Sequence, residues 1–402
     1  MNRGLVVILA AVTLDAVGIG LIFPILPSLL REVAHTMEVA PLYGLMLALY
    51  SAMTFLFSPV LGVLSDRYGR RPVLLVSLAG AAIDYLVMAF APELWMLVVG
   101  RAIAGITSAN MAVATAYITD ISAEEERAKR FGYFHAMFGL GFIIGPVLGG
   151  VLGDIWIRAP FLAAAVLNAG NFALAYFFLP ESRPGDATAR FDRTNLNPFR
   201  PLGWALSFSA LLPMIAIFVL LNFVGTMYGT VWALFGEDAF GWSGLMIGLS
   251  LGTYGVFHAA AQAFLTGPAA RRLGERGAVM AGLAFEVTAL VLTGFATQGW
   301  ILFVLCPLYA MGGIGMPALQ SLITRQVDAD NQGKLQGVLA SLVSLAAVFG
   351  PLFFSTVYFA IKPQWPGAIW IVGAAVYLLA IPLLFALGNR RNVAAKDQPS
   401  QS

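Results

Sequence analysis

Apolar runs of about twenty residues recur along nearly the whole chain, separated by short polar turns. A hydrocarbon core about 30 Å thick is crossed by about twenty apolar residues in a helix, so each run is long enough to span it. Twelve runs fit: 4–30, 42–64, 72–91, 94–119, 132–154, 159–179, 207–233, 244–266, 277–296, 300–323, 335–358 and 366–388. The first holds Pro24 and Pro27 and is too long for a signal-peptide core, so it reads as an uncleaved span. One long polar interruption, 180–206, divides the spans six and six. The pattern predicts an all-α membrane protein of twelve transmembrane helices. Its expected units are a six-helix bundle over 1–179, a loop over 180–206, a second bundle over 207–390 and a tail over 391–402.

Composition supports that picture. The chain is 59% hydrophobic and 11% charged, against about 25% charged in a soluble domain. The net charge of +2 gives no reason to expect a nucleic-acid partner; the partner expected throughout is the lipid bilayer. Cys306 is the single cysteine, which excludes a disulfide framework or a cysteine-based metal site. Of the 23 Lys and Arg residues, nineteen fall in the termini and the connections on their side. Three lie on the opposite side, at Arg31, Arg158 and Lys362, and Arg101 lies within a span. The positive-inside rule then places both termini in the cytoplasm. The sequence has no Walker loop, no Gly-x-Ser-x-Gly and no His-Glu-x-x-His, so the reading is not an enzyme, and an ion gradient is the expected energy source.

The halves also repeat. At an offset of 205 residues Gly62 falls on Gly267, Arg67 on Arg272, Gly69 on Gly274, Arg71 on Arg276, Gly132 on Gly337 and Gly145-Pro146 on Gly350-Pro351. Parallel six-helix repeats are a transporter layout with the substrate site near mid-membrane at their interface. The copies have diverged: Asp66 maps to Arg271 and Arg70 to Glu275, while Asp15, Asp84 and Arg101 map to uncharged residues.

Buried charge marks the candidate chemistry. Asp15, Asp84 and Glu286 lie within spans one, three and nine. An ionised carboxylate at mid-bilayer costs about 2.5–3.5 kcal/mol on insertion scales, so such a group pairs, faces water or carries a proton. Neither Asp84 nor Glu286 has a cation within one helical turn of sequence, and packing-only roles remain the alternative for all three. Arg101 is the expected counter-charge to a buried acid or to substrate, with an interfacial snorkelling arginine as the alternative. Tyr254, His258 and Gln262 form one polar stripe and Asn222, Thr226 and Thr230 another, either lining a cavity or bonding between helices. Gly141, Gly145, Pro146, Gly149 and Gly150 predict a bent helix packed closely between the halves, expected to gate the cavity or block proton leak, with ordinary small-residue packing as the alternative. Asp66, pairing with arginine across a tight turn, is expected to latch the inner helix ends.

Gly62-x-x-x-Asp66-Arg67-x-Gly69-Arg70-Arg71 resembles the loop signature of the major facilitator superfamily, and Gly141 to Gly150 its drug/proton antiporter motif. Leu14 to Leu21, Arg71 to Ala82, Phe235 to Asp238 and Gly312 to Gln320 resemble the tetracycline/proton antiporters of bacterial inner membranes, over about residues 5–388. That resemblance implies the major facilitator fold and outward movement of a tetracycline–divalent-metal chelate against an incoming proton. It implies no permanently bound cofactor, with Mg2+ entering only in the cargo. It makes Asp15, Asp84 and Arg101 essential membrane charges and Ser65, Asp66 and Arg70 a cytoplasmic gate. His258 and Gln262 match positions tied to proton coupling and substrate. Glu286 stands where the family has aspartate, and Ser108 and Met111 where small residues are usual. The alternatives are an exporter of other amphipathic drugs and, from another class, a solute receptor that moves nothing.

Overall fold

The computed structural model describes residues 3–108, 110–183, 199, 203, 211–328 and 331–384. The expected loop over 180–206, apart from 180–183, 199 and 203, and the expected tail over 391–402 lie outside them. In chain order the first half comprises α1 (Arg3–Ile22), α2 (Leu26–Ala34), α3 (Ala40–Tyr68), α4 (Arg70–Phe90), α5 (Leu94–Thr107), α6 (Asn110–Asp120), α7 (Glu124–Ile155) and α8 (Ala159–Phe178). The second comprises α9 (Leu212–Phe240), α10 (Gly244–Phe264), α11 (Thr266–Gly294), α12 (Trp300–Gly312), α13 (Gly315–Thr324), α14 (Gln332–Ile361) and α15 (Ala368–Leu378). Among the described residues eleven helical stretches are long and apolar enough to cross a membrane, and a shorter apolar helix, Ala368–Leu384, makes the twelfth.

Three of the expected spans are broken, and local chemistry explains each break. Pro24 has no backbone N–H, so the first helix stops at Ile22 and restarts at Leu26 with Pro27 in its first turn. Span four breaks at Ser108, whose ψ of 80° leaves the helix, and restarts at Asn110. Span ten breaks at Gly313 and restarts at Gly315, the same two positions after the 205-residue offset. The turn after span two is set by Gly69 (φ 99°, ψ 162°) and its copy after span eight by Gly274 (φ 69°, ψ 167°). Both lie where only glycine is free of strain. The repeat is therefore one of backbone conformation as well as of residue type.

Span seven runs past its expected end at 233 to Phe240. Gly241, left-handed at φ 63°, stops it, with its N–H on the Glu237 carbonyl and that of Trp242 on Gly236. Those extra two turns carry Glu237 and Asp238 beyond the apolar stretch. Ser243 then caps α10 by accepting the Met246 N–H.

Packing follows the same symmetry. In the first half α1 packs on α7, α3 on α5 and α4 on α8; the second repeats this as α9 on α14, α10 on α12 and α11 on α15. The main seams between halves are α7 with α10 and α3 with α14. Glycine makes them close: a methyl on Gly150 would meet the Gly244 carbonyl, one on Gly248 the Pro146 carbonyl, and one on Gly44 the Pro351 carbonyl and Ser355. Pro146 and Pro351 occupy equivalent places in α7 and α14.

Candidate functional site

The first-half helices enclose a cavity of about 320 Å³ whose lining includes Asp15, Tyr50, Asp84, Tyr85, Arg101, Ser108, Asn110 and Met111. Spans one, three and four, chosen in sequence for their charges, thus bring those charges to one chamber. Asp84 Oδ2 and Arg101 Nη2 form a buried ion pair. Arg101 also lies over the Tyr50 ring at 5.6 Å and the Tyr85 ring at 6.0 Å, where the ring quadrupoles favour a cation. Asp84 Oδ1 has no hydrogen-bond partner, although the residue is 1% exposed. The cation absent from one helical turn of sequence is supplied by the neighbouring span.

Asp15 is treated differently. It is buried, and its Oδ1 accepts a 2.9 Å hydrogen bond from Asn110 Nδ2. Among the described residues no Lys or Arg pairs with it. Ser108, at the break in span four, shares a 2.8 Å hydrogen bond with Tyr50 Oη. Asn110 and Tyr50 carry no motif of their own. They become visible only when the break in span four is known.

Glu286, His258 and Gln262 converge on the equivalent break in span ten. A methyl on Gly312 would meet the Glu286 side chain and one on Gly313 the His258 ring. Gln262 Nε2 donates to the Gly313 carbonyl at 3.0 Å, and Tyr254 Oη lies 3.3 Å from His258 Nδ1. Tyr228 Oη donates to Glu286 Oε2 at 2.7 Å. These groups do not line the 320 Å³ cavity, whose walls come from the first half. The other polar stripe does not take the interhelical course. Asn222, Thr226 and Thr230 donate to carbonyls of their own helix, at Phe218, Phe223 and Thr226, rather than across helices. Short hydroxyl and amide side chains in an apolar helix satisfy themselves on the preceding turn.

At the arginine-rich end, Arg70 Nη1 pairs with Asp66 Oδ1 at 2.8 Å and donates to Ser65 Oγ at 3.1 Å, while its Nε pairs with Asp120 Oδ2 at 3.0 Å. Glu181 accepts the N–H groups of Arg70 and Arg71 at 2.8 and 3.1 Å, filling the start of α4. In the second half Glu275 accepts from Ser321 Oγ at 2.5 Å and pairs with Arg325 at 3.0 Å. Each of these clusters stays within its own half. Asp120 and Glu181 were not singled out from sequence, because a carboxylate at a helix end is common and its partners lie 50 and 111 residues away.

The opposite end is bound across the halves. Glu237 takes Arg31 Nη1 at 2.6 Å and Ser28 Oγ at 3.0 Å. Lys362 Nζ reaches Glu38 at 2.7 Å and Asp238 at 3.2 Å, and Tyr358 Oη donates to Asp238 at 2.9 Å. Burial pulls the Lys362 ammonium down, but hydrogen bonds and charge from Glu38 and Asp238 more than offset this, leaving its pKa above the ordinary lysine value. Tyr43 Oη also crosses, to the Gly229 carbonyl at 2.9 Å. Glycines tell the same story along the helices: Gly44, Gly150, Gly244 and Gly248 touch the opposite half, whereas Gly62, Gly132 and Gly139 meet nothing within 4 Å. Among the described residues the named polar and glycine contacts between the halves lie toward the arginine-poor end, while the clusters at the arginine-rich end stay within one half.

Gly141, Gly145 and Gly149 let α7 seat on α1, against Ala16, Gly20 and Leu21, while Pro146 and Gly150 meet α10. One helix thereby joins the wall that carries Asp15 to the seam between halves.

Residues 8–236 and 214–402 match the family model of the Major Facilitator Superfamily. Tetracycline resistance protein, class C, of Escherichia coli is 52% identical over 383 residues, covering 95% of this chain and 96% of its own. Tetracycline resistance protein, class G, of Vibrio anguillarum is 46% identical over 384 residues, covering 96% and 98%. Among solved structures, a POT family transporter in complex with 5-aminolevulinic acid superposes with a TM-score of 0.79 at 14% identity, covering 97% of each chain. The human organic anion transporter TETRAN superposes at 0.71 with 24% identity, covering 95% of this chain and 99% of that one. Those two likenesses speak to the fold, and the sequence relatives to the branch. With two pseudo-symmetric six-helix halves, a charged chamber and full-length relatives of this kind, the chain belongs to the Major Facilitator Superfamily, among its tetracycline resistance proteins.

Proposed function

We propose that this protein exports tetracycline from the cytoplasm across the bacterial inner membrane, in exchange for an incoming proton, and so confers resistance. The drug travels as a divalent-metal chelate; Mg2+ enters with the cargo, and no resident cofactor is needed. Both termini and the arginine-rich end face the cytoplasm, in line with the positive-inside rule. The observation that carries the reading is the charged chamber in a bundle whose halves are latched by ion pairs at the arginine-poor end. A positively charged chelate entering from the cytoplasm meets Asp15 and the Asp84–Arg101 pair before it meets the latched end.

Coupling follows from charge. Membrane carboxylates must pair, meet water or hold a proton, so cargo and proton compete to neutralise the same acids. Asp84 has Arg101 as its fixed counter-charge, and Glu286 has the Tyr228 hydroxyl. The halves then rock about the α7–α10 and α3–α14 seams, exchanging the side to which the chamber opens. Ser65, Asp66 and Arg70 form the cytoplasmic gate that must rearrange with that motion. His258 and Gln262 tie Glu286 to span eight through the break at Gly312–Gly313.

The test is tetracycline uptake into inverted membrane vesicles with magnesium and an imposed pH gradient. Wild type accumulates drug; Glu286→Gln and Asp84→Asn do not, with uptake scaled to the amount of folded protein in the membrane. Absence of metal-dependent uptake by wild type overturns the reading. A second reading, export of other amphipathic drugs by the same mechanism, draws on Phe23, Tyr50, Tyr85 and Met111 in the lining. Efflux assays with several drug classes separate the two.

A further inference from the structure

The chamber contains two carboxylates in unlike electrostatic states. Asp84 is compensated by Arg101, its oxygen Oδ2 engaged by the guanidinium. Among the described residues Asp15 has no cation, and its partner is the neutral amide of Asn110, 95 residues away. Asn110 is the first residue of α6, immediately after the break in span four, so its side chain leaves from a helix start rather than from a continuous wall. Its Nδ2 holds Asp15 Oδ1, while its own Oδ1 is buried with no donor among the described residues. Both residues line the 320 Å³ cavity, and both also border the small adjoining pocket with Met111. An uncompensated carboxylate beside an unpaired amide oxygen is a pair of acceptors with nothing positive to accept. That is the chemistry a cationic ligand completes.

We propose that Asn110 is a positioning residue for the cargo: it fixes Asp15 by one oxygen and sets the rest of the carboxylate, with its own Oδ1, as the acceptor pair for a positively charged metal–tetracycline chelate. The proposal rests on tetracycline export by this chain and adds the side of the chamber that reads the chelate's charge. The Asp84–Arg101 pair, neutral in sum, is left to coupling. A hydrogen bond to an ionised group is among the stronger ones, so loss of Asn110 is expected to weaken chelate binding by about tenfold or more.

The experiment measures binding of tetracycline to the purified full chain, with and without magnesium, by drug fluorescence, alongside vesicle uptake by wild type. Wild-type uptake tests the export reading by itself. Expected results are a Kd for the magnesium chelate raised at least about tenfold in Asn110→Ala, little change for metal-free drug, and no further loss when Asn110→Ala is added to Asp15→Asn. Equal weakening with and without metal, independent additive losses, or an unchanged Kd would each overturn the assignment while leaving export intact. If alanine depletes the protein from the membrane, Asn110→Ser supplies the same comparison. Its hydroxyl, too short to span to Asp15 from the same backbone position, is expected to give the same metal-selective loss, and a wild-type Kd again overturns the proposal.

Discussion

At the scale of single residues the chamber is governed by what happens when one charge of a buried pair is removed. Neutralising Asp84 strands the Arg101 guanidinium, which the side chains of Tyr50 and Tyr85 surround without neutralising. Asp84→Asn is therefore expected to lower stability by about 3–5 kcal/mol, and the double variant Asp84→Asn with Arg101→Gln to regain most of that loss while transport stays absent. Thermal unfolding in detergent measures it; a double variant no more stable than the single contradicts the pairing. Asp66 is a milder case. Its side chain is 53% exposed, and Arg70 keeps Asp120 and Ser65 when Asp66 is lost. Asp66→Asn should leave the amount of folded protein unchanged and abolish uptake, and retained uptake would remove it from the gate.

At the scale of elements, two turns of the same backbone shape sit in different surroundings. Gly69 and Gly274 share a conformation that costs a non-glycine residue about 1–3 kcal/mol. A methyl at Gly274 meets nothing within 4 Å, whereas one at Gly69 runs into the Glu181 carboxylate that caps α4. Gly274→Ala should show the backbone strain alone, and Gly69→Ala a larger loss together with release of Glu181 from the Arg70 and Arg71 N–H groups. Thermal unfolding of the two variants side by side decides this; equal losses would mean the Glu181 contact gives way freely. The seam glycines follow similar logic. Gly248→Ala places a methyl on the Pro146 carbonyl, and overpacking of this kind costs about 1–3 kcal/mol in the closed seam.

For the whole molecule, the ion pairs at the arginine-poor end are expected to set which state is populated. Glu237 with Arg31 and Ser28, and Lys362 between Glu38 and Asp238, join opposite halves through partly buried charges. Because the closed state holds the Lys362 pKa above its ordinary value, its stabilisation is complete below about pH 10.4 and fades only as pH rises through that higher value. Lys362 therefore stays charged across the working range of a bacterium. Lys362→Ala should shift the population toward a state open at the arginine-poor end. With Cys306→Ala removing the one native thiol, a cysteine replacing Phe23, which packs against Gly229 across the halves, reports that opening. Labelling by a membrane-impermeant thiol reagent is expected to quicken about tenfold, the effect of about 1.4 kcal/mol. An unchanged rate would leave the ion pairs without a gating role.

Much of this was legible from the chain. Hydrophobic runs fix the spans because the bilayer leaves no other way to satisfy the backbone, and the 205-residue offset marks both the duplicated Gly69 turn and the seam prolines. Charges within spans single out Asp15, Asp84, Arg101 and Glu286, since an ionised group in lipid must be paired, hydrated or protonated. Partners were another matter. Arg101 is 17 residues from Asp84, Asn110 is 95 from Asp15, and Lys362 is 124 from Asp238. Apolar helices give no sequence sign of which neighbour they will face, because lipid and protein are equally apolar to them. Sequence by itself determined the helices, their duplication and which acids lie within spans. Tertiary packing decided which acid meets a guanidinium, which meets only a neutral amide, and at which end ion pairs join the halves, since each depends on side chains that meet only when separate helices pack.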